Sequence, residues 1–359
     1  MTNIQETVPY DHLCYVRLFE GCNLHCEHCF IPSNPKKMSI EQLHNIPDTV
    51  RKFAKAGDVI LLQWHGGEPT LLGPQIIRDA IIEIEKQGNE FKWIHGIQTN
   101  LTTYNKAWAE LYRQYFNNQV GISWDPEIRH LRKKTDTSNS EYEDLFWEKF
   151  SNLIADGIEP YLIITATRKF FNKWPVAVML FEELEKRGVG KIHFERLTPT
   201  GYARDNWDFL GLNNLEFSTN MSRLYKSYKL WRQQNPNSKI FISPFDGLEH
   251  SVQKLISGEN QGYGCWSGNC DTKFHTIDAN GYKRGCTALN SENDNSRSNS
   301  KLYIPDFIKE RDTRIINCSD CKFRSICSSG CLALEKNDGS DECTGGFRLF
   351  NTIYNYIQK

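Results

Sequence analysis

Gly21-Cys22-Asn23-Leu24-His25-Cys26-Glu27-His28-Cys29-Phe30 sets three cysteines in a C-x3-C-x2-C spacing. A closed structural metal site uses four ligands, so three thiolates leave one position open for chemistry. Thiolates are soft donors that select zinc, copper(I) or iron–sulfur clusters. A [4Fe–4S] cube held by Cys22, Cys26 and Cys29 would keep one iron free for an outside ligand. The competing reading is zinc, with Cys14 or His28 completing the ligand set.

The chain around this motif has 359 residues, 39% of them apolar, enough for a sizeable core. Its 43 basic and 44 acidic residues give a net charge of −1, so no global field recruits nucleic acid or an anionic membrane surface. No apolar run reaches the roughly eighteen residues of a membrane span. The stretch from Met1 to Asp11 is polar rather than a signal peptide. These features predict a cytoplasmic protein with neither nucleic acid nor membrane as a partner. In that setting twelve cysteines read as metal ligands before disulfides, because the cytosol keeps thiols reduced. Cys14 stands apart from the clusters, in a strand-like run, and reads as a buried structural thiol.

From Leu13 to about Leu197, short apolar runs alternate with helical patterns, the form of repeated βα units around a parallel sheet. Strands are predicted near 13–18, 58–64, 91–98, 119–124, 160–166 and 190–197. One helix runs from Ser39 to Gly57, and another from Gln75 toward Gly88 with Ile76, Ile77, Ala80, Ile81 and Ile84 at helical spacing. Further helices fit 140–156, 174–188 and 213–235. Six strands fall short of the eight that close a TIM barrel, so the fold class is α/β, an open (β/α)6 partial barrel with its active face at the carboxyl ends of the strands. The domain boundary falls near 237, giving a barrel over 1–236 and a cysteine-rich domain over 237–359. Asn290 to Ser300 has no apolar residue and reads as a surface loop.

Three further motifs sit at predicted strand ends. Gln63-Trp64-His65-Gly66-Gly67-Glu68-Pro69-Thr70 joins two glycines, which permit close backbone approach, to a carboxylate suited to a cationic amine. Gln98-Thr99-Asn100 ends the third strand and Ser123-Trp124-Asp125 the fourth. Phe194-Glu195-Arg196-Leu197 ends the sixth. Arg132 lies in a basic stretch and is either a ligand for a carboxylate or a solvated surface charge.

The second half carries Cys265, Cys270, Gly281-x4-Cys286, Cys318-x2-Cys321-x5-Cys327-x3-Cys331 and Cys343, two sets of four. On residues alone, two zinc sites remain open.

The C-x3-C-x2-C run followed by Gly-Gly-Glu-Pro resembles the signature of the radical S-adenosylmethionine (SAM) superfamily. The later cysteines resemble its SPASM extension. The resemblance implies a partial barrel with a C-terminal SPASM domain, SAM bound at the free iron, and a 5′-deoxyadenosyl radical that takes hydrogen from a substrate. It implies SAM contacts from Gly66, Gly67, Glu68, Pro69, Thr99, Asn100, Ser123, Arg132 and Leu197. Cys265, Cys270, Cys286 and Cys331 would hold one auxiliary [4Fe–4S] cluster and Cys318, Cys321, Cys327 and Cys343 another, three clusters in all. An electron donor such as flavodoxin or ferredoxin would reduce them.

The chain is similar to anaerobic sulfatase-maturating enzymes, which implies Asp125 as the catalytic base. Leu101, Trp124-Asp125-Pro126 and Phe30-Ile31-Pro32 depart from the usual text of that group. The reading that follows is oxidative modification of a peptide or protein side chain. Ribosomal-peptide maturation by cyclophane cross-linking comes first and formylglycine formation second. A small-molecule substrate or a non-catalytic zinc scaffold are the remaining alternatives.

Overall fold

A computed structural model of the chain describes residues 10–31, 35–132, 139–290 and 307–359. Pro32 and residues 291–300 of the expected loop lie outside them. The fold is mixed α/β with a parallel sheet, in two compact units. One comprises Met1–Leu162 with Lys273–Asn293, the other Ile163–Thr272 with Asp294–Lys359. The division does not follow the boundary near 237, because the chain re-enters the first unit at Lys273 to add strands to its sheet.

The strands are β1 (His12–Phe19), β2 (Leu24–Cys26), β3 (Val59–Gly66), β4 (Lys92–Thr99), β5 (Gln119–Ser123), β6 (Arg129–Leu131), β7 (Glu159–Ala166), β8 (Lys191–Arg196), β9 (Phe241–Ser243), β10 (Phe274–Asp278) and β11 (Gly281–Arg284). All six predicted strands are present. In the first unit β10, β1, β3, β4 and β5 run parallel in that order, and β11 pairs antiparallel with β10. In the second unit β8 and β9 pair in parallel. Burial alternates strictly along β7 and nearly so along β3, whereas β1 is buried on both faces, with Cys14, Val16 and Leu18 on one and Leu13 and Arg17 on the other. Cys14 is thus the structural thiol its surroundings predict, and burial pushes its pKa far up.

One predicted helix is broken in two: the segment from Ser39 forms helices Ile40–His44 and Ile46–Val50, because Pro47 has no N–H to continue the ladder. The helix predicted over 174–188 is present as Ala177–Lys186, and a separate, unpredicted helix Arg168–Lys173 precedes it, parted from it at Trp174-Pro175. Helix Pro74–Gln87 buries Ile77, Ala80, Ile81 and Ile84 as its spacing predicts. Helix Asn214–Gln234 opens on a reciprocal cap in which Asn213 and Glu216 satisfy each other's backbone N–H groups. In the second unit, helix Phe347–Ile357 packs on it. Among the described residues, no helix is long and apolar enough to cross a membrane.

Candidate active site

Within the first unit, the three cysteines follow β1, the Gly-Gly-Glu-Pro run follows β3, Thr99-Asn100 closes β4 and Ser123 closes β5. Four adjacent strands therefore deliver their motifs at one edge of the sheet, the carboxyl end.

The cysteine loop is pinned along its length. Strand β2 lies inside the loop and pairs antiparallel with β6, setting Leu24 opposite Leu131 and Cys26 opposite Arg129. Gly67 N–H donates to Phe19 O and Glu68 N–H to Gly21 O, both at 2.9 Å, which ties the glycine run to the loop's entry. The glycines are required for this contact. A Cβ on Gly66 would lie 2.2 Å from Phe19 O, and one on Gly67 2.3 Å from Glu20 O. Beneath the loop, buried Arg17 donates to Glu20, and Glu20 accepts from Lys36 N–H at 3.0 Å. Nothing in the sequence spacing marks this ion pair as buried.

Glu68 is fully buried, and its carboxylate accepts from this chain's own groups. Oε1 accepts from Thr70 N–H at 3.0 Å, Thr70 Oγ1 at 2.5 Å and Thr99 Oγ1 at 2.8 Å. Oε2 accepts from Asn100 N–H at 2.6 Å. Burial raises the Glu68 pKa, and these donors work against the rise. Asn100 Nδ2 reaches Asn23 Oδ1 at 2.9 Å and Cys22 Sγ at 3.7 Å. Glu68, Thr99 and Asn100 thus form one network that ends on a cysteine sulfur. Leu101 takes a left-handed φ of 70°, a conformation that glycine adopts freely, so the turn carries some backbone cost.

Asp125, 2% exposed, is clamped. Arg129 donates to Oδ2 from Nε at 2.8 Å and from Nη2 at 2.5 Å, and His28 Nε2 lies 3.3 Å from the same oxygen. Arg129 Nη1 also reaches Cys26 Sγ at 3.7 Å. The guanidinium pKa is raised despite the burial that opposes it, through Asp125 and then Cys26. This clamp was missed in the sequence, although Asp125 and Arg129 stand four apart. Ser123 Oγ accepts from Gln98 Nε2 at 2.9 Å. Arg132 is exposed and donates its N–H to Asn23 O at 2.9 Å. His65 stacks on Phe30, the residue after the third cysteine, at 5.9 Å.

Burial pushes the Cys22 thiol up to about 11 and raises Cys26 and Cys29 as well. Bare thiols here favour the neutral form, and a bound metal would be needed to hold thiolates. Leu24 N–H and Asn100 aim at Cys22 and Arg129 aims at Cys26. Three soft sulfurs with donors directed at two of them fit an iron–sulfur cluster. Among the described residues, no group of three or more His, Cys, Asp or Glu side chains is arranged to hold a single metal ion.

In the second unit, Cys318, Cys321, Cys327 and Cys343 line one small cavity. Burial and the neighbouring thiols push Cys327 up to about 12. Cys270 accepts from Arg311 Nη2 at 3.1 Å. Cys265 is exposed and Cys331 half-buried in the same unit, whereas Cys286 follows β11 in the first. Leu197, 7% exposed, follows β8. Buried Arg196 donates to Thr344 O at 2.9 Å and to Asn214 Oδ1 at 2.5 Å. Glu195 is instead exposed beside His193.

Residues 16–144 match the Radical SAM superfamily. The chain carries a radical SAM domain, and this implies SAM and a [4Fe–4S] cluster. It is 26% identical over 334 residues to a cysteine-type anaerobic sulfatase-maturating enzyme of Clostridium novyi, covering 87% of this chain and 85% of that one. A serine-type enzyme of Klebsiella pneumoniae is 20% identical over 96% of this chain and 88% of its own. Among solved structures, native anSMEcpe with bound AdoMet and Cp18Cys peptide superposes with TM-score 0.67 at 18% identity, over 96% of both chains. Streptococcus suis SuiB bound to precursor peptide SuiA gives 0.60 at 16% identity, over 90% of this chain and 72% of that one. Residues 16–144 thus form a radical SAM domain, in a chain that is similar along most of its length to sulfatase maturases.

Proposed function

We propose that this enzyme oxidatively modifies a side chain of a peptide or protein, and that the reaction is ribosomal-peptide maturation by cross-linking of the cyclophane type. When bound, SAM and its cluster supply one-electron abstraction of a substrate hydrogen. Cys22, Cys26 and Cys29 would hold that cluster. Gly66, Gly67, Pro69, Thr99, Asn100, Ser123, Arg132 and Leu197 are the proposed SAM contacts. The Glu68 network holds the β3 and β4 ends in place.

The observation that carries the choice of reaction is the clamp on Asp125. Arg129 donates twice to one carboxylate oxygen, and His28 stands against the same oxygen. The clamp lies in the same segment that departs from the sulfatase-maturase text. In this reading Asp125 is an anchor. Its role in this proposal is to hold His28 and Arg129 against the cysteine loop. The length-wide relation to sulfatase maturases supports formylglycine formation as the second reading.

The two auxiliary sets, Cys265, Cys270, Cys286 and Cys331 and then Cys318, Cys321, Cys327 and Cys343, are proposed to carry [4Fe–4S] clusters that pass electrons onward. A flavodoxin or ferredoxin is the proposed donor to the enzyme, and its proposed setting is the cytoplasm. The test incubates anaerobically loaded enzyme, SAM and dithionite with two peptide sets: sulfatase-motif peptides bearing Cys or Ser, and small precursors encoded beside the gene. Mass spectrometry with hydroxylamine trapping separates an aldehyde from a cross-link. A trapped aldehyde on a sulfatase peptide, with precursors untouched, overturns the first reading.

A further inference from the structure

We propose that Ser329 donates its hydroxyl to a sulfur of the iron–sulfur group that Cys318, Cys321, Cys327 and Cys343 would hold, and so sets that group's reduction potential. The inference rests on reading those four cysteines as cluster ligands.

Ser329 lines the same cavity as the four cysteines. It is 4% exposed, and its Oγ has no hydrogen-bond partner. A buried hydroxyl left unpaired is costly, so an acceptor supplied by a bound group accounts for its presence there. The rest of the cavity wall offers thiols, the rings of Phe323 and Phe350, and cationic Lys336 and Arg324, none of them a strong acceptor.

The backbone is set for the same purpose. Ser329 has a φ of 63°, in the left-handed region that non-glycine residues avoid, and Gly330 follows at 76°. Its own N–H donates to Cys327 Sγ. Thr344 Oγ1 donates to Ser329 O at 2.8 Å and fixes the turn. A second residue keeps the space beside the sulfurs clear. A Cβ on Gly345 would stand 2.7 Å from Cys327 Sγ and 3.6 Å from Cys343 Sγ.

A hydrogen bond to a cluster sulfur stabilises the more negative reduced state and raises the potential. Removing the hydroxyl should therefore move the potential of this one cluster downward. The test uses full-length protein loaded anaerobically, with wild type, Ser329→Ala and Ser329→Gly titrated by EPR-monitored potentiometry. The relevant signal is the one that a Cys318→Ala variant lacks. Glycine fits the left-handed backbone better than serine and alanine worse, so the two variants lose the same hydroxyl with opposite effects on strain. Equal shifts to more negative potential in both variants, at unchanged iron content, are the expected result. No shift in either, or a shift in alanine alone, overturns the inference. If Cys318→Ala removes neither iron nor any signal, the ligand reading beneath it fails instead.

Discussion

Replacing Glu68 by glutamine tests whether the buried carboxylate is a latch of the scaffold or a ligand for SAM. The carboxylate accepts four hydrogen bonds, two of them from backbone N–H groups: Thr70 on Oε1 and Asn100 on Oε2. A glutamine has one acceptor oxygen and one NH2 group. If its oxygen faces Thr70, the NH2 confronts the Asn100 N–H. If it is flipped, the NH2 confronts the Thr70 N–H. Either way one buried backbone donor loses its partner, at roughly 1–3 kcal/mol. Burial already disfavours the charged carboxylate, so the neutral amide recovers part of that loss and a net cost of about 1–2 kcal/mol remains. Hydrogen exchange at the Asn100 amide reads this locally, and the cost corresponds to about 5- to 30-fold faster exchange. Unfolding by urea under anaerobic conditions should shift the same way. Unchanged exchange and unfolding together with a tenfold loss of SAM affinity would refute the latch and return Glu68 to the ligand.

Changing Cys22, Cys26 and Cys29 together to alanine should lower iron from about twelve to about eight per chain and abolish SAM cleavage, as three cubane clusters require. A zinc-rich wild type unable to cleave SAM under dithionite would defeat that count. Asp125→Asn should destabilise the protein by roughly 3–5 kcal/mol, because it leaves the Arg129 guanidinium buried without its counter-charge. The double change with Arg129→Met should recover part of the loss in a denaturation series, whereas a free catalytic base would give lost product at near-normal stability. His275 is buried between His12, Phe53 and Tyr282, and burial lowers its pKa from 6.5 to about 3. Above pH 6.5 both states are neutral and stability is full. Between pH 6.5 and 3 only the unfolded chain takes up the proton, so about 1.4 kcal/mol is lost per pH unit. Unfolding free energies from urea titrations at pH 7 and 5 should differ by roughly 2 kcal/mol in wild type and much less in His275→Phe.

The strands were legible because each pairs an apolar run with punctuation. Gly57-Asp58 precedes β3 and Thr99-Asn100 closes β4, so the bounds fall within two residues of those predicted. The break at Pro47 falls inside a helix predicted unbroken from Ser39 to Gly57, although a proline there has no N–H to continue the ladder. Strands β2, β6, β9, β10 and β11 were not visible. Each has three to five residues, and three residues carry no measurable alternation. The return of β10 to the side of β1 is a long-range pairing that no local pattern encodes. A boundary placed by composition near 237 therefore cut across the first unit's sheet.

At the site, the residues grouped by a fixed spacing were readable, and those that act through one another were not. Glu68 was found as a residue but assigned outward, toward an amine, because sequence shows that a carboxylate is present and not which donors surround it. Asp125 shows the same limit more sharply. The i, i+4 relation to Arg129 suggests a surface helix pair, worth a few tenths of a kcal/mol. The segment between them instead folds as a turn, with Glu127 at a left-handed φ of 71°, and brings the pair into a buried position beside Cys26. There the same two residues change meaning. The guanidinium neutralises the carboxylate and donates toward a cysteine sulfur, so charge at the cysteine loop is set by a residue that no cysteine motif contains. A change confined to Arg129 should thus reach the loop through Cys26 and the end of β5 through Asp125.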